Sequence, residues 1–405
     1  MKPENRSISR NNPWRDREVP HLPLKSVFLQ SGLILLCAVY LATLFAPYTD
    51  TPVFTVVSLG VIIVCAINLI THIRAASVLV PPFCIVFFAY WMTNGQLTIP
   101  AICLCVLVII RGGATLILLT KHRWLLLLLP LAAYPLALCT TLFNPLAALV
   151  SLICFPAAAL LAAGTVRNLP RVSVICMVSA GIAIPLLAAL MILFYKTYGG
   201  LTPELANRAM ESLRATLLSN LQDTLQKAAS ATSASASSIP AANTLNTLIS
   251  RFLNLIPGLF VVACNILAFF LQASLLAELR VLQMEPYLTP EAVQIRMSLT
   301  SGILLLLALP TAWIASSMET RSGEAVAAVA DNLAMVLEPG LALIGFGDLL
   351  QRIRKAQSGP FWLICLLMLI CLSGSLILIL IALWGAVSLI LSAVRARKNN
   401  NQSRS

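Results

Sequence analysis

Four polar side chains set into apolar stretches are the residues best suited to hold a ligand: Asn265 and Gln272 in one stretch, Asp331 and Glu338 in another. Each pair is seven residues apart, which on a helix places its members on nearly one face, two turns from each other. Carboxylates so placed can bind a cation or accept hydrogen bonds from a polar solute, and the amides can do both. Pro339-Gly340 follows Glu338 directly. A proline there removes a backbone donor, and transporters build solute and ion sites at helix breaks of this kind. Ionisable groups in a bilayer are costly and point first to function. A plainer arrangement competes: Asp331, soon after Ser322–Glu324, lies at the outer interface, Glu338 pairs with a polar neighbour, and the amides join two helices.

The elements that must carry these residues are membrane spans. The chain has 405 residues, 59% of them hydrophobic and 10% charged, with mean hydropathy +0.91, far to the apolar side of water-soluble domains. Runs long enough to cross a bilayer core of about 30 Å fall near 26–46, 53–71, 75–92, 95–111, 124–142, 145–164, 172–195, 252–277, 298–316 and 325–350. A longer stretch, 361–394, breaks near Ser373-Gly374-Ser375 and reads as a hairpin. The predicted fold is an all-α, polytopic transmembrane helical bundle of about eleven or twelve spans with one external amphipathic helix. Arg111 closes the 95–111 run and reads as snorkelling to the membrane edge.

Net charge +12 comes from basic residues scattered between apolar runs, which suits topology signals and excludes a nucleic-acid surface. Basic residues gather at alternate connections: Arg74, Lys121 and Arg123, Arg167 and Arg171, Arg280 and Arg296, and Arg352 to Lys355. By the positive-inside rule these lie in the cytoplasm, as do the basic N-terminal tail and, with twelve spans, the C-terminal tail. The expected location is a bacterial inner membrane, crossed many times, with the N-terminus cytoplasmic.

The expected organisation is a tail, 1–25; an N-terminal bundle, 26–171; a C-terminal bundle, 172–398; and a polar tail, 399–405. The second bundle carries an external insert, 197–249. Within the insert, 201–228 repeats apolar residues at Leu201, Leu205, Ala209, Leu213, Leu217, Leu221 and Leu225, the period of an amphipathic helix. Thr202-Pro203 suits its N-cap and first turn. The Ala-, Ser- and Thr-rich 229–243 segment reads as a flexible linker. The helix suits a lid, a docking element, or a connector resting on the interface.

The eleven cysteines lie inside apolar runs and read as small packing residues. Cys103 and Cys105 lack zinc-knuckle spacing, and His21, His72 and His122 stand in separate polar segments, so no metal site and no cofactor are expected. No nucleophile, base and orienting residue form a recognisable set, and there is neither a phosphate loop nor a zincin motif, so no enzyme activity is expected. Ala38, Ala42 and Ala46 form a small-residue stripe suited to close helix approach, with a partner or within the bundle.

The segments Leu253–Val281 and Asp331–Lys355, with a last span ending in Val394–Lys398, resemble the YybS-like family of bacterial polytopic membrane proteins, mainly over residues 172–398. That family is similar in hydrophobic architecture to the substrate-binding components of energy-coupling-factor vitamin transporters. The resemblance implies solute binding and a docking role for the alanine stripe at 38, 42 and 46. The chain departs from those components in having about twice their spans and in carrying the 197–249 insert. The expected function is a transporter or solute-binding membrane component, with lipid, a small solute and a membrane protein as partners. The alternative is a non-transporting scaffold or assembly factor working through 201–228.

Overall fold

A computed structural model describes residues 24–42, 52–71, 97–119, 145–199, 242–281, 295–318, 320–355 and 375–402, with parts of 202–219. Every regular element among the described residues is a helix: α1 Leu24–Ala42, α2 Pro52–Thr71, α3 Thr98–Leu119, α4 Pro145–Val166, α5 Arg171–Tyr198, α6 Ala242–Val281, α7 Leu299–Ser316, α8 Arg321–Lys355 and α9 Ser375–Gln402. Among the described residues, six segments are long and apolar enough to cross a membrane: Pro100–Leu119, Arg171–Ala188, Phe252–Arg280, Leu299–Ser316, Ser322–Ile353 and Ile377–Arg395. Shorter apolar helices lie at Lys25–Leu41, Thr55–Asn68 and Cys154–Val166. Large apolar side chains point outward, among them Phe28 at 73%, Val329 at 70% and Trp313 at 76% exposure. The chain is an all-helical, multi-pass integral membrane protein whose outer surface contacts lipid. The predicted spans 75–92 and 124–142, the 361–374 part of the last apolar stretch, and the 229–241 part of the linker lie outside the described residues.

The chain divides into two compact units, Met1–Leu190 with Cys264–Arg296, and Met191–Ala263 with Met297–Ser405. In the first, α3 is the central helix: 78% of its spanning window is buried, against 28% for the α5 window. It packs against α1, α2 and α4. Tyr40 bonds Ser58 at 2.7 Å and Cys37 meets Cys65, so α1 runs antiparallel to α2. The approach of Gln30 and Ile34 to Gly112, with Cys37 near Cys105, sets α1 antiparallel to α3 as well.

Helix α4 ends in a Schellman motif: Leu169 N–H donates to Gly164 O at 3.1 Å, Asn168 N–H to Thr165 O at 3.0 Å, and Asn168 takes φ 50°. Pro170 then stops the turn and α5 begins at Arg171. This closes a tight helical hairpin in which a Cβ on Gly164 would come 2.9 Å from Val174 Cγ2.

The second unit centres on α7, α8 and α9, which pack pairwise around Leu305, Ala308, Ala334, Leu341, Ala382 and Ala386. Gly345 and Gly385 face each other where α8 crosses α9: a Cβ on Gly345 would strike Ile381 O, and one on Gly385 would strike Leu341 O. Small residues of this kind let membrane helices approach backbone to backbone. Gly345 is thus a packing residue.

Three expectations need correction. Helix α8 runs unbroken through Pro339-Gly340, because a single proline in a membrane helix can be accommodated by local adjustment. Helix α6 begins at Ala242, inside the expected 197–249 insert, since Leu245, Leu248, Ile249 and Leu253 continue the helical apolar period, while its membrane-crossing segment, Phe252–Arg280, opens where the predicted span does. At 40 residues it is roughly 60 Å long and so outruns the bilayer core. The third is Arg111, which lies buried inside its helix and not at a span's edge. In the 201–228 segment, Thr202 Oγ1 accepts from Leu205 N–H at 3.2 Å, the predicted cap, and Met210 and Leu213 are 44% and 41% exposed.

Candidate functional site: a buried charged centre

Arg111 is 1% exposed and ranks among the largest fully buried side chains. From its place in the sequence Arg111 is expected at a span's edge, but α3 continues to Leu119, which leaves Arg111 about 12 Å from that end, out of snorkelling range. Its Nη2 donates to Asn68 Oδ1 on α2 at 2.6 Å. Its Nε lies 3.6 Å from Glu278 Oε2 on α6, and Glu278 is also buried. Thr115, one turn along α3 from Arg111, donates to Glu278 Oε2 at 2.9 Å. The cation and the anion are thus held by α2, α3 and the C-terminal part of α6, all within the first unit.

This centre has unused hydrogen-bonding capacity. Arg111 Nε and Nη1, Gln30 Nε2 and Ser274 Oγ are buried without a hydrogen-bond partner among the described residues, as is Gln272 Oε1, six residues before Glu278 on α6. Gln30 sits beside the centre: a Cβ on Gly112 would come 3.0 Å from Gln30 Nε2. Ser274 lies one turn before Glu278 on α6. Buried polar atoms are normally paired, and unpaired ones in a low-dielectric interior are expensive. The arrangement can therefore take up water or a small polar molecule whose groups complete these bonds.

A second polar cluster adjoins on the same helices. Cys37, Cys65 and Cys105, from α1, α2 and α3, bring their sulfurs within 4.8 Å of one another, and each is 0% exposed.

The residues singled out in the sequence are distributed as follows. Gln272 is buried at 3% exposure and Asn265 is half-buried, both in the first unit. Asp331 is exposed and Glu338 half-buried, both on α8 of the second unit. Each pair is accordingly described within its own unit. Ala38 is 3% exposed and packs inside the first unit, while the side chains of Ala42 and Ala46 lie outside the described residues.

In the second unit it is Asn332 that meets α6. Its Oδ1 accepts from Gly258 N–H at 2.6 Å and its Nδ2 donates to Asn254 O at 2.8 Å, so one amide spans two groups that stand at helical i, i+4 spacing. Pro257 cannot donate and Gly258 has no side chain, which lets Asn332 reach the α6 backbone; a Cβ on Gly258 would come 2.5 Å from Oδ1. This is a structural clamp of the joining kind. A shallow groove of about 430 Å³ between α7 and α8 is lined by Leu304, Leu307, Val326, Val329 and similar residues; it suits a lipid chain, not a polar solute.

Arg111, Glu278, Asn68 and Thr115 were missed as a set because they come from three helices with no shared sequence period. One signal was present: Glu278 stands near the end of an apolar run with Arg280 two residues on, which read as a cytoplasmic boundary. Comparisons with protein-family models, curated proteins and solved structures each found no match.

Proposed function

We propose that this chain is a solute-handling membrane protein, a transporter or solute-binding component, whose site is the Arg111–Glu278 centre. The observation that carries the proposal is a buried ion pair inside a membrane protein with polar atoms left unbonded on Arg111, Gln30, Gln272 and Ser274. Desolvating two charges costs several kcal/mol each, and well-packed apolar residues usually stabilise as well or better. Retaining the pair in a bilayer fits a binding role. The unbonded donors and acceptors suit a small solute carrying both hydrogen-bond donors and acceptors. The YybS-like resemblance of residues 172–398 supports the same class, and this reading includes a bacterial inner-membrane location with a cytoplasmic N-terminus and no enzymatic step.

The test is mass spectrometry of small molecules retained by tagged protein extracted gently from its native membrane. A solute that accompanies the wild type and is absent from folded Glu278→Gln protein is expected, together with a coupling subunit and an ATPase pair if the energy-coupling similarity extends to mechanism. The scaffold alternative draws on the exposed Met210 and Leu213. Recovery of envelope proteins without solute, with function surviving Glu278→Gln but not deletion of 201–228, would favour it.

A further inference from the structure

The geometry points to a Cu(I) site formed by Cys37, Cys65 and Cys105, independent of the solute reading. The three sulfurs come from three separate helices and converge on one point: all lie within 4.8 Å of one another, with Cys37 and Cys65 Sγ 3.5 Å apart. An ion bound by three thiolates at about 2.3 Å, the bond length zinc makes to sulfur, sits in a sulfur triangle with edges of about 4 Å. The observed spacing accommodates that triangle with shifts of a few tenths of an ångström. Cysteines used only as packing need no such convergence, since an alanine or valine fills the same space.

The ligand chemistry narrows the ion. An all-sulfur, fully buried set selects soft cations, Cu(I) foremost, over Mg2+, Ca2+ or Mn2+. Structural zinc demands four ligands, and the group among the described residues offers three. Binding requires thiolates, so each ligating thiol gives up its proton as the ion enters. Arg111 lies on the same helix as Cys105, under two turns further on, and its positive charge favours the anionic cluster that results. Sequence spacing could not show this, since Cys37, Cys65 and Cys105 belong to no single motif.

The experiment uses full-length protein in lipid nanodiscs, reduced and kept anaerobic, titrated with Cu(I) delivered from its bicinchoninate complex, then desalted. One copper per chain is expected, with a copper K-edge absorption spectrum showing only sulfur at about 2.3 Å. Cys37→Ser, Cys65→Ser and Cys105→Ser should each lower retained copper at least tenfold, while Cys176→Ser and Cys264→Ser leave it unchanged. Should a serine variant fail to fold, the wild type decides: its copper absorption spectrum should fit three sulfur neighbours and no nitrogen or oxygen. Absence of stoichiometric copper, a nitrogen or oxygen shell, preference for Zn(II) with a fourth ligand, or retention indifferent to the three cysteines would each overturn the assignment.

Discussion

The Arg111 guanidinium and Glu278 carboxylate are removed from water, and their 3.6 Å approach, with Asn68 and Thr115 completing hydrogen bonds, offsets part of that cost. Breaking a buried pair strands one charge, at a cost of about 3–5 kcal/mol. Glu278→Ala should therefore lower the thermal unfolding midpoint markedly, whereas the double change Arg111→Met with Glu278→Met, which removes both charges, should recover most of the loss. A double variant as unstable as the single one would show that the stranded charge is not the cause. Gly258→Ala should also destabilise, by about 1–3 kcal/mol as overpacking, because its Cβ would press on Asn332 Oδ1. In an Asn332→Ala background the same change should cost much less, a coupling that unfolding of the double mutant measures. Polar residue types in apolar runs were legible in the sequence. Which of them face protein was not: Asn332, adjacent to Asp331, makes the clamp, because rotation of α8 about its axis is fixed by the Gly345–Gly385 crossing far along the chain.

Helix positions followed closely from hydrophobic runs, and helix ends less well. The break expected at Ser373-Gly374-Ser375 falls at the edge of the described residues, where α9 is described from Ser375. The end assigned to the 95–111 run was wrong in a consequential way, because arginine followed by two glycines resembles a boundary in composition while the helix continues through them to Leu119. Glycine's meaning likewise depends on what it faces. Gly345→Val and Gly385→Val should each separate α8 from α9 and sharply reduce the yield of folded protein by size-exclusion chromatography. Gly347→Val should leave it unchanged, since nothing lies within 4 Å of a Cβ at that position. Equal damage from all three substitutions would mean that glycine flexibility, not close packing, matters there.

At the scale of the whole molecule, composition alone determined the class, since a chain this apolar must satisfy its backbone hydrogen bonds within helices. The charged centre was beyond such reading because it assembles from three helices: Asn68 and Arg111 are 43 residues apart, and Thr115 and Glu278 are 163 apart. Topology follows from charge placement: reporters fused after residues 230 and 290 should read outside and inside respectively, and the opposite pair of signals would invert the map. On the proposed reading the Arg111–Glu278 centre admits water and solute, which a sealed structural pair would not. That access is tested most directly by placing a single cysteine at Thr115 or Gln272 in a background lacking the native cysteines and following its reaction with a membrane-impermeant thiol reagent. Both positions are expected to label measurably faster than a cysteine at Leu161, which is fully buried, and more slowly than one at exposed Met210. Labelling at Thr115 and Gln272 no faster than at Leu161 would mean that water never reaches the pair, and would contradict the account.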